Sequence, residues 1–193
     1  MKVIGITGGT GSGKSYVLAY LNKEYGAYIC ELDKVAKDLQ EKGQKCYDDI
    51  VSYFGTGILN EDKSINRNAL ADIVFNDDNK LQILNKLVHP AVKDFVVKDI
   101  EVQREKGTEI YVIESALMPT AGYENICEDM WYIYTDESVR RERLSSSRGY
   151  SDKKMDEMFS SQASDSDFRK ISRVVIDNSG DFENTKKQIG DIL

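Results

Sequence analysis

Cysteine, histidine, long apolar runs and positive charge are all in short supply in this 193-residue chain, and each shortage removes a class of function. The cysteines Cys30, Cys46 and Cys127 are odd in number and far apart, and His89 is the only histidine. There is no C-x-x-C pair and no Cys/His spacing suited to zinc, so neither a disulfide framework nor a structural metal is expected, and the thiols read as reduced core residues. No apolar stretch approaches the about 20 residues that span a bilayer, and the N-terminus enters a strand pattern rather than a signal peptide. A cytoplasmic location without membrane contact is expected. With 26 Lys and Arg against 33 Asp and Glu, the net charge of −7 argues against nucleic acid as a partner, because phosphate backbones are bound through a cationic surplus. The length fits one domain with insertions, as a monomer or weak homo-oligomer. No internal repeat is visible, and Ser145–Ser147 is the only low-complexity tract.

What the chain does have is concentrated near its start. The stretch Gly8-Gly9-Thr10-Gly11-Ser12-Gly13-Lys14-Ser15 fits the phosphate-binding pattern G-x-x-x-x-G-K-[ST] and follows the apolar run Val3–Thr7. Glycines at these spacings let the backbone curl into a nest of N–H donors, the lysine reaches β- and γ-phosphate oxygens, and the Ser15 hydroxyl suits Mg²⁺. Residues Lys14 to Tyr25 read as a helix whose N-terminus adds its dipole to the same anion site. Tyr16 falls in the first turn of that helix, beside the expected ATP and Mg²⁺ site. A plain Gly/Ser turn between strand and helix is the alternative.

Strand and helix patterns alternate along the chain, the mark of an α/β protein with a parallel sheet covered on both faces. The strands are expected at Lys2–Thr7, Ala27–Glu31, Glu109–Glu114, Met130–Tyr134 and Arg173–Asp177. Helical spacing in Leu70, Ile73 and Val74, and again in Leu81, Leu84, Leu87 and Val88, makes the long stretch after the second strand a helical insertion. A second insertion, charged and serine-rich, carries Arg140, Arg141, Arg143 and Arg148.

Asp33 follows the second strand, and ligands of open parallel sheets gather at strand carboxyl ends. A carboxylate there can orient an acceptor hydroxyl, take its proton and help hold Mg²⁺. The competing assignment is an N-cap for a helix starting near Lys34.

In order and spacing, Gly8–Ser15, Asp33, Phe54-Gly55 with Ile58-Leu59, Ile65-Asn66-Arg67 with Leu70, Phe75, His89-Pro90 and Ile176-Asp177-Asn178-Ser179-Gly180 resemble the dephospho-coenzyme A kinase family over nearly the whole chain. The resemblance implies a P-loop NTPase fold, a nucleoside-monophosphate-kinase-like parallel sheet of five strands. It implies one kinase domain, with a core of 1–33, 107–137 and 168–193, a helical acceptor-binding insertion at 34–106 and a lid at 138–167. It further implies transfer of the γ-phosphate of ATP, with Mg²⁺, to the ribose 3′-hydroxyl of dephospho-CoA. The remaining readings of the fold and motif are another small-molecule kinase, acting for example on a nucleoside or sugar, and a nucleotide-sensing module with weakened transfer.

Carried over by position, Asp33 is the base, Lys14 and the lid arginines Arg140, Arg143 and Arg148 are catalytic, and Arg67 and His89 line the acceptor. Arg67 also reads as a solvated surface charge, and His89 as an imidazole tying down a helix kink at Pro90. The turn Asn178-Ser179-Gly180 would pack on adenine or serve backbone geometry alone. Glu114 ends the third strand, where it can join the Mg²⁺ shell through water or cap the following turn. Four positions depart from the family pattern. Ala116 and Thr120 replace a proline and an acid. Ser147 replaces the lid arginine, with Arg148 next to it and first choice for the γ-phosphate contact. Arg173 stands where an aspartate is expected.

Overall fold

The computed structural model describes every residue except Leu117, Pro119, Thr120, Ala121 and Glu124, so the departure at Thr120 lies outside the described residues. The chain divides into two compact units, one made of Met1–Cys30 with Gln103–Leu193, the other of Glu31–Val102.

The first unit is built on five strands: β1 (Lys2–Thr7), β2 (Tyr28–Glu31), β3 (Ile110–Glu114), β4 (Asp129–Tyr134) and β5 (Val174–Asp177). They lie in the order β2-β3-β1-β4-β5, and β1 pairs in parallel with β3 on one side and β4 on the other, while β4 pairs in parallel with β5. Parallel strands covered on both faces need near-continuous apolar runs, and Ile4, Ile6, Tyr111, Val112, Ile113, Trp131 and Ile133 are all fully buried. Gly5, central in β1, has no room for a side chain: a Cβ there would stand 2.3 Å from Met130 Sδ. β2 begins one residue later than expected because the Ala27 N–H is spent on Leu21 O at the exit of the preceding helix.

That helix, α1 (Lys14–Tyr25), puts Val17, Leu18 and Leu21 against the sheet with Ile176 and Ile189. The second unit holds α2 (Leu32–Asp38), α3 (Tyr47–Phe54), α4 (Arg67–Phe75) and most of α5 (Asp78–Glu105). It buries Ile50, Ile58, Leu70, Val74, Val88 and Val92 among others, and the Asn66 side chain caps α4 by accepting from the Ala69 N–H. The predicted helical insertion is therefore a set of helices with its own apolar interior. In the first unit the charged segment after β4 forms α6 (Glu137–Arg148), α7 (Asp152–Ser160) and α8 (Asp165–Ile171), and α9 (Phe182–Gly190) follows β5. Among the described residues, no helix is long and apolar enough to cross a membrane.

The arginine at 173 has a local cause. Asp129 opens β4 with its side chain only 2% exposed, and the Arg173 guanidinium donates to Asp129 Oδ1 while Lys2 Nζ stands 3.4 Å from Oδ2. An aspartate at 173 would face a buried like charge, whereas arginine neutralises it. Arg173 is itself mostly exposed and Lys2 remains as a second cation, so Arg173→Ala is expected to cost only about 1–2 kcal/mol, a Tm lower by roughly 3–6 °C. A melt of the variant measures this, and its kcat is expected to stay within about twofold of wild type because the pair lies outside the reacting groups.

Candidate active site

The loop between β1 and α1 takes a path that side chains would block. Gly13 is the N-cap of α1 at φ 84°, and a Cβ there would fall 2.3 Å from Asn178 Nδ2. At Gly8, φ 153°, a Cβ would meet Ile133 O at 2.6 Å. The glycines of the motif thus serve both left-handed geometry and close approach to the strands below.

The loop is also pinned from underneath. Ser12 O accepts from Asn178 Nδ2 at 2.7 Å and from Thr135 Oγ1 at 3.0 Å, side chains delivered by the carboxyl ends of β5 and β4. Thr185 Oγ1 donates to Asn178 Oδ1 at 2.9 Å, so both ends of the Asn178 amide are engaged, and the residue is 3% exposed. The Asn178 side chain is therefore committed to holding the loop. Gly180 is exposed, has open space around it and lies outside the left-handed region, so backbone geometry does not require glycine there either. Ser179 accepts from the Asp136 N–H at the start of α6.

Lys14 Nζ donates to Gly8 O at 2.6 Å and stands 3.6 Å from Glu114 Oε1. Glu114 thus belongs to the loop's electrostatics as a partner of the lysine, a pairing that strand position alone does not reveal. Ser15 and Tyr16 are exposed on the first turn of α1, and the Tyr16 ring lies 6.3 Å from that of Phe182.

Two arginines of α6 reach the loop. Arg140 Nε donates to Thr10 O at 2.9 Å, its guanidinium lies 4.1 Å from the centre of the Phe159 ring, and burial lowers its pKa from the ordinary arginine value. Arg143 Nη2 donates to Asn178 O at 2.9 Å, while Nη1, 3.4 Å from where a Gly13 Cβ would stand, is buried with no hydrogen-bond partner. Neither arginine has a carboxylate partner among the described residues. Arg141, by contrast, is committed to Glu137 at 2.8 Å and Asp156 at 2.6 Å. A buried guanidinium N–H without an acceptor is costly, and beside a nest of backbone donors it fits a polyanion such as a triphosphate. Arg148 is not brought to the loop. It is the last residue of α6, about 12 Å along the axis from Arg140 at 1.5 Å per residue, exposed, with its guanidinium 5.9 Å from the Tyr150 ring. Ser147 turns back to Arg143 O at 2.6 Å.

The remaining candidates lie in the second unit. Asp33 does not cap α2, because the helix starts at Leu32 with Glu31 at the N-cap; Asp33 is in the first turn, exposed, with no side-chain partner among the described residues. Arg67 donates to Glu41 Oε1 at 2.7 Å and Lys37 O at 3.3 Å on the surface. α5 continues through Pro90 to Glu105, and the His89 imidazole is exposed without a hydrogen-bond partner among the described residues, so it anchors nothing at that position. Among the described residues no three His, Cys, Asp or Glu side chains form a ready-made metal cluster.

The sequence profile of the dephospho-CoA kinase family matches residues 2–184. The chain belongs to this family. A dephospho-CoA kinase of Dehalococcoides mccartyi is 36% identical over 187 residues, covering 96% of this chain and 93% of that protein. That of Aquifex aeolicus is 36% identical over 191 residues, covering 98% and 94%. Among solved structures, a dephospho-CoA kinase from Campylobacter jejuni superposes with a TM-score of 0.73 at 22% identity, covering 100% of this chain and 96% of that one. At that identity the likeness speaks to the fold alone, and it agrees with the five-stranded P-loop kinase architecture described above.

Because Asn178 holds Ser12 O and is itself held by Thr185, Asn178→Ala removes the grip from β5 and leaves the loop to Thr135. ATP affinity is expected to fall about tenfold, the equivalent of about 1.4 kcal/mol or one to two hydrogen bonds. Titration calorimetry with ATP checks this, with a melt in parallel to show that the fold persists.

Proposed function

We propose that this chain transfers the γ-phosphoryl group of ATP to the ribose 3′-hydroxyl of dephospho-CoA, giving coenzyme A. The observation that carries the reading is the phosphate loop faced by two arginines with no carboxylate partner among the described residues, in a chain that belongs to the dephospho-CoA kinase family. In-line phosphoryl transfer asks a protein mainly to position the reactants and to neutralise developing charge. The amides of Gly8–Ser15 and Lys14 cradle the triphosphate, and Arg140 and Arg143 meet charge as it moves toward the leaving group. Ser15, whose hydroxyl is exposed on the first turn of α1 with no partner among the described residues, and the carboxylate of Glu114 through water, are the hard oxygen donors of the first unit that would hold Mg²⁺. When bound, the ion supplies neutralisation of phosphate charge.

Asp33 serves as the base. It follows the carboxyl end of β2, is exposed and lacks a partner among the described residues, so its lone pairs are available to an acceptor hydroxyl. Residues 34–106 form the acceptor-binding insertion and 138–167 the lid, with Arg67 and His89 on the acceptor side. The Arg67–Glu41 pair is on the surface, and such pairs contribute about 0–1 kcal/mol, so an anionic acceptor group can displace the glutamate at small cost.

One ATP-consumption assay run with dephospho-CoA, adenosine and shikimate tests the substrate: turnover is expected with the first alone. Asp33→Asn should lower kcat by roughly 10²–10⁴-fold with little change in ATP binding. For the lid, Arg140→Ala and Arg143→Ala are each expected to lower kcat by about a hundredfold, and Arg148→Ala by less than about twofold. Near-normal turnover in the first two would remove the lid arginines from the reaction.

A further inference from the structure

Gln162 lies in the short connection between α7 and α8, 152 residues from the phosphate loop in sequence, and none of the motifs above includes it. Its carboxamide makes two hydrogen bonds to one loop residue. Thr10 N–H donates to Gln162 Oε1 at 3.0 Å, and Gln162 Nε2 donates to Thr10 Oγ1 at 2.5 Å. The third polar group of Thr10, its carbonyl, accepts from Arg140 Nε at 2.9 Å. Arg140 Nη2 in turn stands 3.5 Å from Gln162 Oε1, and Phe159 of α7 supports the guanidinium from one face. The backbone and hydroxyl groups of Thr10 are therefore all taken by side chains of the segment carrying α6 and α7, in a ring closed through Arg140.

Resting on the function proposed above, we infer that Gln162 is a positioning residue: its amide latches the apex of the phosphate loop and, through Thr10 and Arg140, sets where the Arg140 guanidinium stands for phosphoryl transfer. A carboxamide suits this task because it donates and accepts at once with fixed geometry. The Thr10 N–H needs an acceptor, and the carboxamide nitrogen donates to a lone pair of the Thr10 hydroxyl, leaving that hydroxyl's own proton available. An alanine at 162 leaves the Thr10 N–H without its acceptor and Arg140 with Thr10 O and the Phe159 face but no closed ring, so the loop and the arginine lose their common register. Positioning errors of this kind act on turnover even when the reacting groups are intact.

The test is a double-mutant cycle of wild type, Gln162→Ala, Thr10→Val and the pair, with Thr10→Ser as the conservative control. Three quantities are measured on each protein: kcat and KM with dephospho-CoA, ATP affinity by calorimetry, and Tm. Gln162→Ala is expected to lower kcat about tenfold and ATP affinity about threefold and to leave KM for dephospho-CoA unchanged; Thr10→Val, which keeps the residue-10 N–H and its bond to Gln162 Oε1, is expected to lose less and to add little to Gln162→Ala, because the hydroxyl bond it removes is already gone there. Thr10→Ser keeps the hydroxyl and is expected to retain wild-type values. Losses that multiply in the double variant, or a kcat within twofold of wild type for Gln162→Ala, overturn the latch. So does a loss of activity recovered by assaying below a lowered Tm, which would make Gln162 structural only. Should wild type transfer nothing to dephospho-CoA, the proposed function fails by itself. The cycle is then read from ATP affinity, where coupling supports the latch and additivity overturns it.

Discussion

The grip on one carbonyl, Ser12 O, is the constraint on which the rest of this protein depends. A phosphate-binding nest must present several N–H groups inward with no ligand present, and left-handed glycines that permit the curve also permit many others. Asn178 and Thr135 remove that freedom by holding Ser12 O from β5 and β4. The sheet order puts those two strands on one side of β1, so their carboxyl ends converge under the loop that β1 feeds. The same Asn178 also offers its backbone carbonyl to Arg143. One buried residue thus fixes the loop to the sheet and a cation to the loop.

Charge in this chain is informative by location rather than by sum. A net −7 sits poorly with a polyanionic ligand until the arginines are separated by what surrounds them. Arg141, Arg169 and Arg173 each meet a carboxylate and are locally neutral. Arg140 and Arg143 meet carbonyls, an aromatic face and a buried unfilled position instead. Field from unpaired, partly desolvated cations is felt far more strongly than that of solvated ones, so a chain acidic overall still presents a cationic wall to phosphate.

The parts legible in the sequence were those with local causes. β1 and α1 carry their apolar spacing and glycine exit within a few residues, and both were found with their bounds. The helical insertion and the charged helices after β4 follow from periodicity in the same way. What could not be read depends on pairs far apart in the chain. Asn178 meets Ser12 across 166 residues, and nothing in Asn-Ser-Gly distinguishes a loop clamp from a turn. Arg148 sits nearest the family's lid position in register, yet α6 approaches the loop with its first turns, so Arg140 and Arg143 arrive and Arg148 does not. Asp33 suits an N-cap by residue type, and only the start of α2 at Leu32 sets that assignment aside. The exchange of aspartate for Arg173 is intelligible once Asp129 is known to be buried beside it.

The central place of β1 has a consequence for how the molecule is made. Val3 pairs with Tyr111 and Ile4 with Asp129, so β1, once it has left the ribosome, finds neither neighbour until about a hundred further residues have followed. At about 5–20 residues per second, β3 emerges roughly 5–20 s after β1. Through that interval the most enclosed strand of the finished sheet is an unsatisfied apolar edge, and non-local pairing of this kind is slow even after synthesis ends. Nascent chains of this protein therefore present their phosphate-binding strand to chaperones, and to one another, before the nucleotide site exists.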